Sequence, residues 1–193
     1  MARRADRPPP LDPAVAAAHA TLLRGAAFVA RQADAGAFSL DASIADEQRH
    51  RYRSKTIANA LRELDRFLNL LADATARSLG DPLPEGQRNT ANKLRDFDAF
   101  AIQWDDYERL VALGRSRACL FYRGGQVSSG DRRGEPTFTA GWSARTGPPD
   151  QLSRMAIGDR LAVGEIELRD IAQFYERLAL RLQTLAAVAV NAD

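Results

Sequence analysis

Lysine, cysteine and histidine are nearly missing from this chain. Lys55 and Lys93 are the only lysines, so arginine supplies almost all of the positive charge. In a chain so rich in alanine, GC-rich coding accounts for that bias without any selection for guanidinium chemistry. The single cysteine, Cys119, excludes an internal disulfide and any cysteine-based metal site, which fits a reducing compartment. With only His19 and His50 as histidines, no zinc-ligand spacing exists. A glycine-rich phosphate loop is absent too, and Ser128-Ser129-Gly130 lacks the surroundings of a nucleophile elbow. The formal charge of +2 removes any whole-molecule electrostatic case for nucleic acid, leaving only local clusters to argue from. Long apolar runs are also lacking: His19 and Arg24 interrupt the alanine-rich stretch after Pro10, so neither a signal peptide nor a membrane span is expected. A cytoplasmic protein without membrane association, metal or cofactor follows as the expectation.

What is present is helical periodicity. At 193 residues and 45% hydrophobic, the chain can bury one good core but not two, so a single domain is expected over residues 12–193. Residues 1–11, with Arg3, Arg4, Arg7 and three consecutive prolines, read as a basic arm. Asp12 and Pro13 start a helix whose stripe of Val15, Leu22, Ala26 and Val29 runs to about Ala33 and stops at Gly36. Ser43 with Asp46 and Glu47 marks a second start. Ile57, Leu61, Leu64, Leu68 and Leu71 follow in the longest helix, which ends at Gly80 and Pro82. Its polar beginning, Gln48 to Lys55, must project beyond the core or lie under another chain. Asn89 or Thr90 caps a third helix through Leu94, Phe97, Ala101, Trp104, Leu110 and Leu113 towards Arg117, with Gly114 as the place where it would break. Residues 126–164 read as an irregular insertion, with a small hairpin over Met155 to Val163 turning at Gly158-Asp159. A last helix from about Glu167 aligns Ile171, Phe174, Leu178, Leu182 and Leu185. The fold class expected is mainly α, a bundle of four to five helices with a small β-hairpin insertion before the last helix. The stripes Ile57–Leu71 and Ile171–Leu185 together offer more apolar edge than one small bundle covers, which points to a homodimer.

Within the third helix, Leu110, Leu113, Arg117, Leu120 and Phe121 share one stripe, which places a charge on an apolar face, and Gly124-Gly125 ends the helix just beyond Tyr122 and Arg123. This arrangement resembles the signature of the HEPN superfamily, helical domains often active as metal-independent RNases, whose motif is Arg, a polar residue, then His four to six positions on. Arg117 matches the Arg, Ala118 stands at the polar position and Tyr122 at the His. The stretch from Ile57 to Leu71, with Asn59, Ala60 and Glu63, is similar to the second helix of that family. The resemblance implies a HEPN-like fold, pairing through the motif helices, and a degenerate site at Arg117 and Tyr122; the competing reading is that these two make a satisfied buried polar pair. A phenol titrates near ~10, so Tyr122 is a poor base at neutral pH. Neither His19 nor His50 lies four to six residues after an arginine, so no second copy of the motif exists.

The densest positive cluster is Arg49, His50, Arg51, Tyr52, Arg53 and Lys55, which interleaves aromatic and basic side chains as an RNA-contacting surface does. On a helix these residues fan around the axis, and Asp46 and Glu47 precede them, so a solvated helix end is the competing reading. Together with Arg123 they are the candidate binding residues. Asp98 and Asp105, two turns apart on a continuous helix, are a weak metal signal beside the simpler reading of solvated surface. Three functional readings follow: a degenerate HEPN-like protein binding RNA, a nucleotide or a protein partner encoded nearby, in a defence or toxin–antitoxin context; an active metal-independent endoribonuclease using His50 or the Arg117 and Tyr122 pair; and a helical scaffold with no nucleic-acid role.

Overall fold

The computed structural model describes residues 11–34, 46–83, 89–145, 148 and 151–190. Most of the expected arm, the Gly36 stop and the Ser43 cap lie outside these residues. The first helix starts as its sequence dictates: Asp12 Oδ1 accepts from the N–H groups of Ala14 at 2.7 Å and Val15 at 3.2 Å, opening α1 (Pro13–Asp34). α2 (Asp46–Ser78) and α5 (Glu165–Val190) pack against α1 and against each other through the expected stripes, with Leu22, Leu64, Leu68, Leu71, Ile171, Leu178 and Leu182 all buried. Those two stripes are therefore covered within one chain, and a homodimer would use other surface. The Pro13–Ala33 stretch of α1 does have the length and apolarity to cross a membrane, contrary to the expectation from His19 and Arg24. Arg24 is its only charge before Arg31, and in the fold its Leu22, Ala26 and Val29 face the core.

The expected third helix is two helices. α3 (Thr90–Arg95) is short, capped by Asn89, whose side chain accepts from the Asn92 N–H. A 3-10 turn over Asp98–Phe100 follows, Ala101 adopts a left-handed conformation with φ 45°, and α4 (Trp104–Arg123) then runs unbroken through Gly114. The break thus falls before Trp104 and not at Gly114. What fixes α4 there is a set of charges towards α5. Asp106, buried in its first turn, accepts from Arg177 at 2.8 Å and Arg181 at 2.7 Å, while Arg109 pairs with Asp170 at 2.7 Å and lies 4.4 Å over the Phe174 ring.

The hairpin also pairs differently from expectation. β1 (Thr137–Ser143) and β2 (Leu152–Ala156) are antiparallel, in register at Thr137 with Ala156 and Phe138 with Met155, with an irregularity between Thr139 and Ser143. The turn falls one residue earlier than expected, at Ile157-Gly158, closed by the Asp159 N–H on the Ala156 carbonyl at 3.1 Å; Met155 before it joins β1, and Arg160 after it bridges to Gln126. Gly141 lets β1 lie directly on α4: its N–H reaches the buried Ser116 Oγ at 3.2 Å, and a Cβ there would meet the Leu113 Cα at 2.6 Å. In this part of α4 the buried polar residue is thus Ser116, one position before the expected Arg117.

Candidate functional site: a basic groove

The polar start of α2 lies beyond the core, whose buried residues on this helix begin at Ile57. Backbone acceptors brace it. Arg53 Nη2 donates to the Val163 carbonyl at 2.8 Å and Ser54 Oγ to the Gly124 carbonyl at 3.3 Å. At the other side of this contact α4 ends on Gly124, left-handed at φ 58°, and Gly125 follows at φ 85°. Two such residues in succession reverse the chain, a conformation glycine adopts without Cβ strain. The reversal brings residues 125–127 against 158–161: Leu161 N–H donates to Gly125 O at 2.8 Å, Val127 N–H to Asp159 O at 2.9 Å, and Gln126 Nε2 to Gly158 O at 2.6 Å. Arg160 is thereby delivered to the start of α2.

The result is an open groove of about 410 Å³, walled by Glu47, His50, Arg51 and Lys55 of α2, by Phe121, Tyr122 and Arg123 of α4, and by Gln126 and Arg160 of the insertion. Glu47, Arg51 and Lys55 fall four residues apart, on one face of α2. Glu47 is the single carboxylate among four cations. Its two oxygens reach in different directions, Oε1 lying 3.5 Å from Arg51 Nε and Oε2 3.6 Å from Arg160 Nη2. Tyr122 is 81% exposed and packs edge-on against Phe121, with ring centroids 5.0 Å apart. Such a wall of guanidinium, ammonium and exposed phenol side chains offers charge-assisted donors to an anion and a flat face to a ring.

Of the residues singled out from the sequence, the groove unites His50, Arg51, Lys55, Tyr122 and Arg123. Arg49 turns instead to Asp46 at 3.0 Å, Arg53 is held on Val163, and Tyr52 is exposed outside the groove lining. Arg117 does not join Tyr122. In the continuous α4, five residues of ~100° each set the two about 140° apart. Arg117 is half-buried against α2, with Nη1 3.7 Å from Asp65 Oδ2, whereas Tyr122 faces the groove, so the expected buried pair does not form. Sequence reading also missed Arg160 and Glu47. Arg160 sits far along the chain with only the Gly158-Asp159 turn as a signal, and Glu47 reads as a plain helix-start acid.

Arg117 belongs to another group of polar side chains. Along α2, Asp65, Asn69 and Asp73 recur every four residues and face Arg117 of α4, Thr90 and Lys93 of α3, and Tyr175 of α5. Burial pushes the Asp65 carboxyl up, opposed by Thr90 and Arg117, and burial with the nearby Asp65 charge pushes the Tyr175 phenol well above its usual value. Lys93 is bound by Asn69 and Asp73. Arg117 and Lys93 are thus each matched by an acid of α2, Asp65 and Asp73. A wider groove between α4 and the hairpin, about 980 Å³, is also polar, but Arg109, Arg115 and Arg177 in its wall are already paired with Asp170, Asp131 and Asp106. Among the described residues no three His, Cys, Asp or Glu side chains are gathered for a metal ion. Asp98 and Asp105, separated by the bend at Ala101, lie on different elements and not on one helix face.

The chain matches no family model, no curated protein and no solved structure.

Proposed function

We propose that the protein binds a phosphate-bearing ligand, RNA or a nucleotide, in the groove between the start of α2 and the end of α4, and that it binds without cleaving. The observation that carries this reading is the convergence of Arg51, Lys55, Arg123 and Arg160, from three separate segments, around one exposed aromatic side chain. The HEPN resemblance supports it from the sequence side. The separation of Arg117 from Tyr122 supports binding over catalysis, because cation and proton acceptor must both reach one phosphodiester for cleavage. Replacing Arg51, Lys55 and Arg123 together with alanine is expected to weaken binding of a single-stranded RNA whatever its sequence. The slope of log affinity against log salt should flatten by about 2, as three lost contacts at ~0.7 each require. Unchanged affinity and slope in the triple variant would refute the reading. His50 in the same groove favours a second reading, a metal-independent endoribonuclease with His50 as base. Cleavage of total RNA by the natural protein, abolished by His50→Ala, would replace the first reading with this one.

A further inference from the structure

Resting on that binding reading, we propose that Arg51 and Arg160 form the groove's phosphate subsite, that Glu47 fills it as an internal anion until a nucleotide phosphate displaces it, and that Tyr122 stacks on the adjoining base. The geometry of Glu47 carries the argument. Its carboxylate bridges two guanidinium groups but at 3.5 and 3.6 Å, longer than the ~2.7–2.9 Å of a charge-assisted hydrogen bond. Arg51, Glu47 and Arg160 are all solvent-exposed, with side chains 72%, 64% and 44% accessible, so water screens what these long contacts contribute. A carboxylate tethered to the first turn of α2 does not here close on both cations at once. A phosphate is free to do so, because it brings more oxygens, more charge and no tether. Helix-dipole compensation does not require Glu47, since Asp46 stands in the same turn.

Tyr122 supplies the rest of the recognition. Its ring is held by the partly buried Phe121 and yet leaves most of its surface to solvent, so a base can stack on it without first displacing protein. Stacking of this kind tolerates any base, which matches a groove with few groups fixed for base edges. The ligand class is therefore a phosphate with an adjoining nucleobase, whether a free nucleotide or a single-stranded RNA.

Fluorescence anisotropy with a labelled single-stranded RNA, and competition by AMP and by inorganic phosphate, test this directly. Glu47→Gln is expected to tighten RNA binding three- to tenfold and to steepen the salt slope by about 0.7, one additional effective phosphate contact. Glu47→Asp keeps the charge but shortens its reach, and should fall between the natural protein and Glu47→Gln. Tyr122→Leu should cost RNA and AMP about tenfold more than it costs inorganic phosphate. AMP competing as well as RNA per molecule identifies a nucleotide site, and competition only at far higher concentration identifies the RNA strand. If the natural protein binds RNA but Glu47→Gln binds equally or more weakly, Glu47 is a bracket for the arginines and the inference is overturned, while the binding reading stands. If neither protein binds RNA, AMP or phosphate, the groove reading fails and the inference with it.

Discussion

Lys93 is the one buried lysine or arginine among the described residues, and removing either end of its ion pair should have unequal effects. Its ammonium donates to Asn69 Oδ1 at 2.8 Å and to the two oxygens of Asp73 at 2.7 and 2.9 Å, so all three protons have acceptors. The Lys93 side chain is 6% accessible, but that of Asp73 is 34% accessible. Without Lys93, Asp73 can turn to water. Without Asp73, the ammonium remains buried with Asn69 as its only strong acceptor. Removing one partner of a buried pair costs about 3–5 kcal/mol, and the exposure of Asp73 and the remaining Asn69 bring Asp73→Ala to about 2–3 kcal/mol. For a chain of this length that lowers Tm by roughly 5–10 °C. Lys93→Met removes the charge and keeps the volume, so its cost should stay near ~1 kcal/mol. Asp73→Ala with Lys93→Met should then be more stable than Asp73→Ala alone. Calorimetric melting at pH 7 of the three variants decides it. Equal losses from the two single changes, or a double variant no better than Asp73→Ala, would refute the assignment of the loss to a stranded ammonium.

Gly141→Ala forces a Cβ against the Leu113 backbone, where β1 crosses α4, and should cost about 3 kcal/mol, the upper end of overpacking, read as a fall in Tm. A melt within a degree of the natural protein would show that the strand can lift away. Glu167 carries a pH dependence. Burial pushes its carboxyl up, but bonds from Arg145 and the Gly164 N–H outweigh this and hold it below the usual value near 4.5. Because the folded value lies below the unfolded one, Glu167 stabilises the fold above that pH and the contribution is lost as pH falls through the folded value. Glu167→Gln should therefore lower Tm at pH 7, and its deficit should shrink in acid. An equal deficit at pH 7 and in acid that protonates the folded carboxyl would contradict that linkage.

The long helices were legible because their apolar spacing and start signals agree. Asp12 caps α1 and the Ile57–Leu71 stripe of α2 enters the core as read. The break between α3 and α4 was not legible, since no glycine or proline marks it and the residue in left-handed conformation is Ala101, a strong helix former. The position of the hairpin was lost for another reason. Alternation over Met155–Val163 is real, but a strand pattern does not name its partner, and here the two halves pair with β1 and with Gln126. Arg117 misled because Leu113 and Leu120 flank it on a buried stripe, while a long side chain can run along that surface to Asp65 and keep contact with water.

The groove shows why a formal charge of +2 is a poor guide to where an anion would bind. Elsewhere among the described residues many arginines and carboxylates cancel in place, as in Arg109 with Asp170, Arg177 and Arg181 with Asp106, and Arg145 with Glu167. Around the groove Arg51, Lys55, Arg123 and Arg160 meet Glu47 alone, an excess of three positive charges and more than the whole chain's balance. That excess is a consequence of the fold. The first turns of α2 are too polar to enter the core and are held by backbone carbonyls of Val163 and Gly124, which accept from Arg53 and Ser54 without neutralising their neighbours. Arg51 and Lys55, on the face turned to the end of α4, have only Glu47 as a carboxylate in the groove wall, and it reaches Arg51 alone of the two. The double glycine then adds Arg160 to the same place. Electrostatic attraction at this end of the bundle is therefore set by three local backbone events, the early start of α2, the glycine stop of α4 and the turn at Gly158. Moving any of them would disperse the charge without changing the composition.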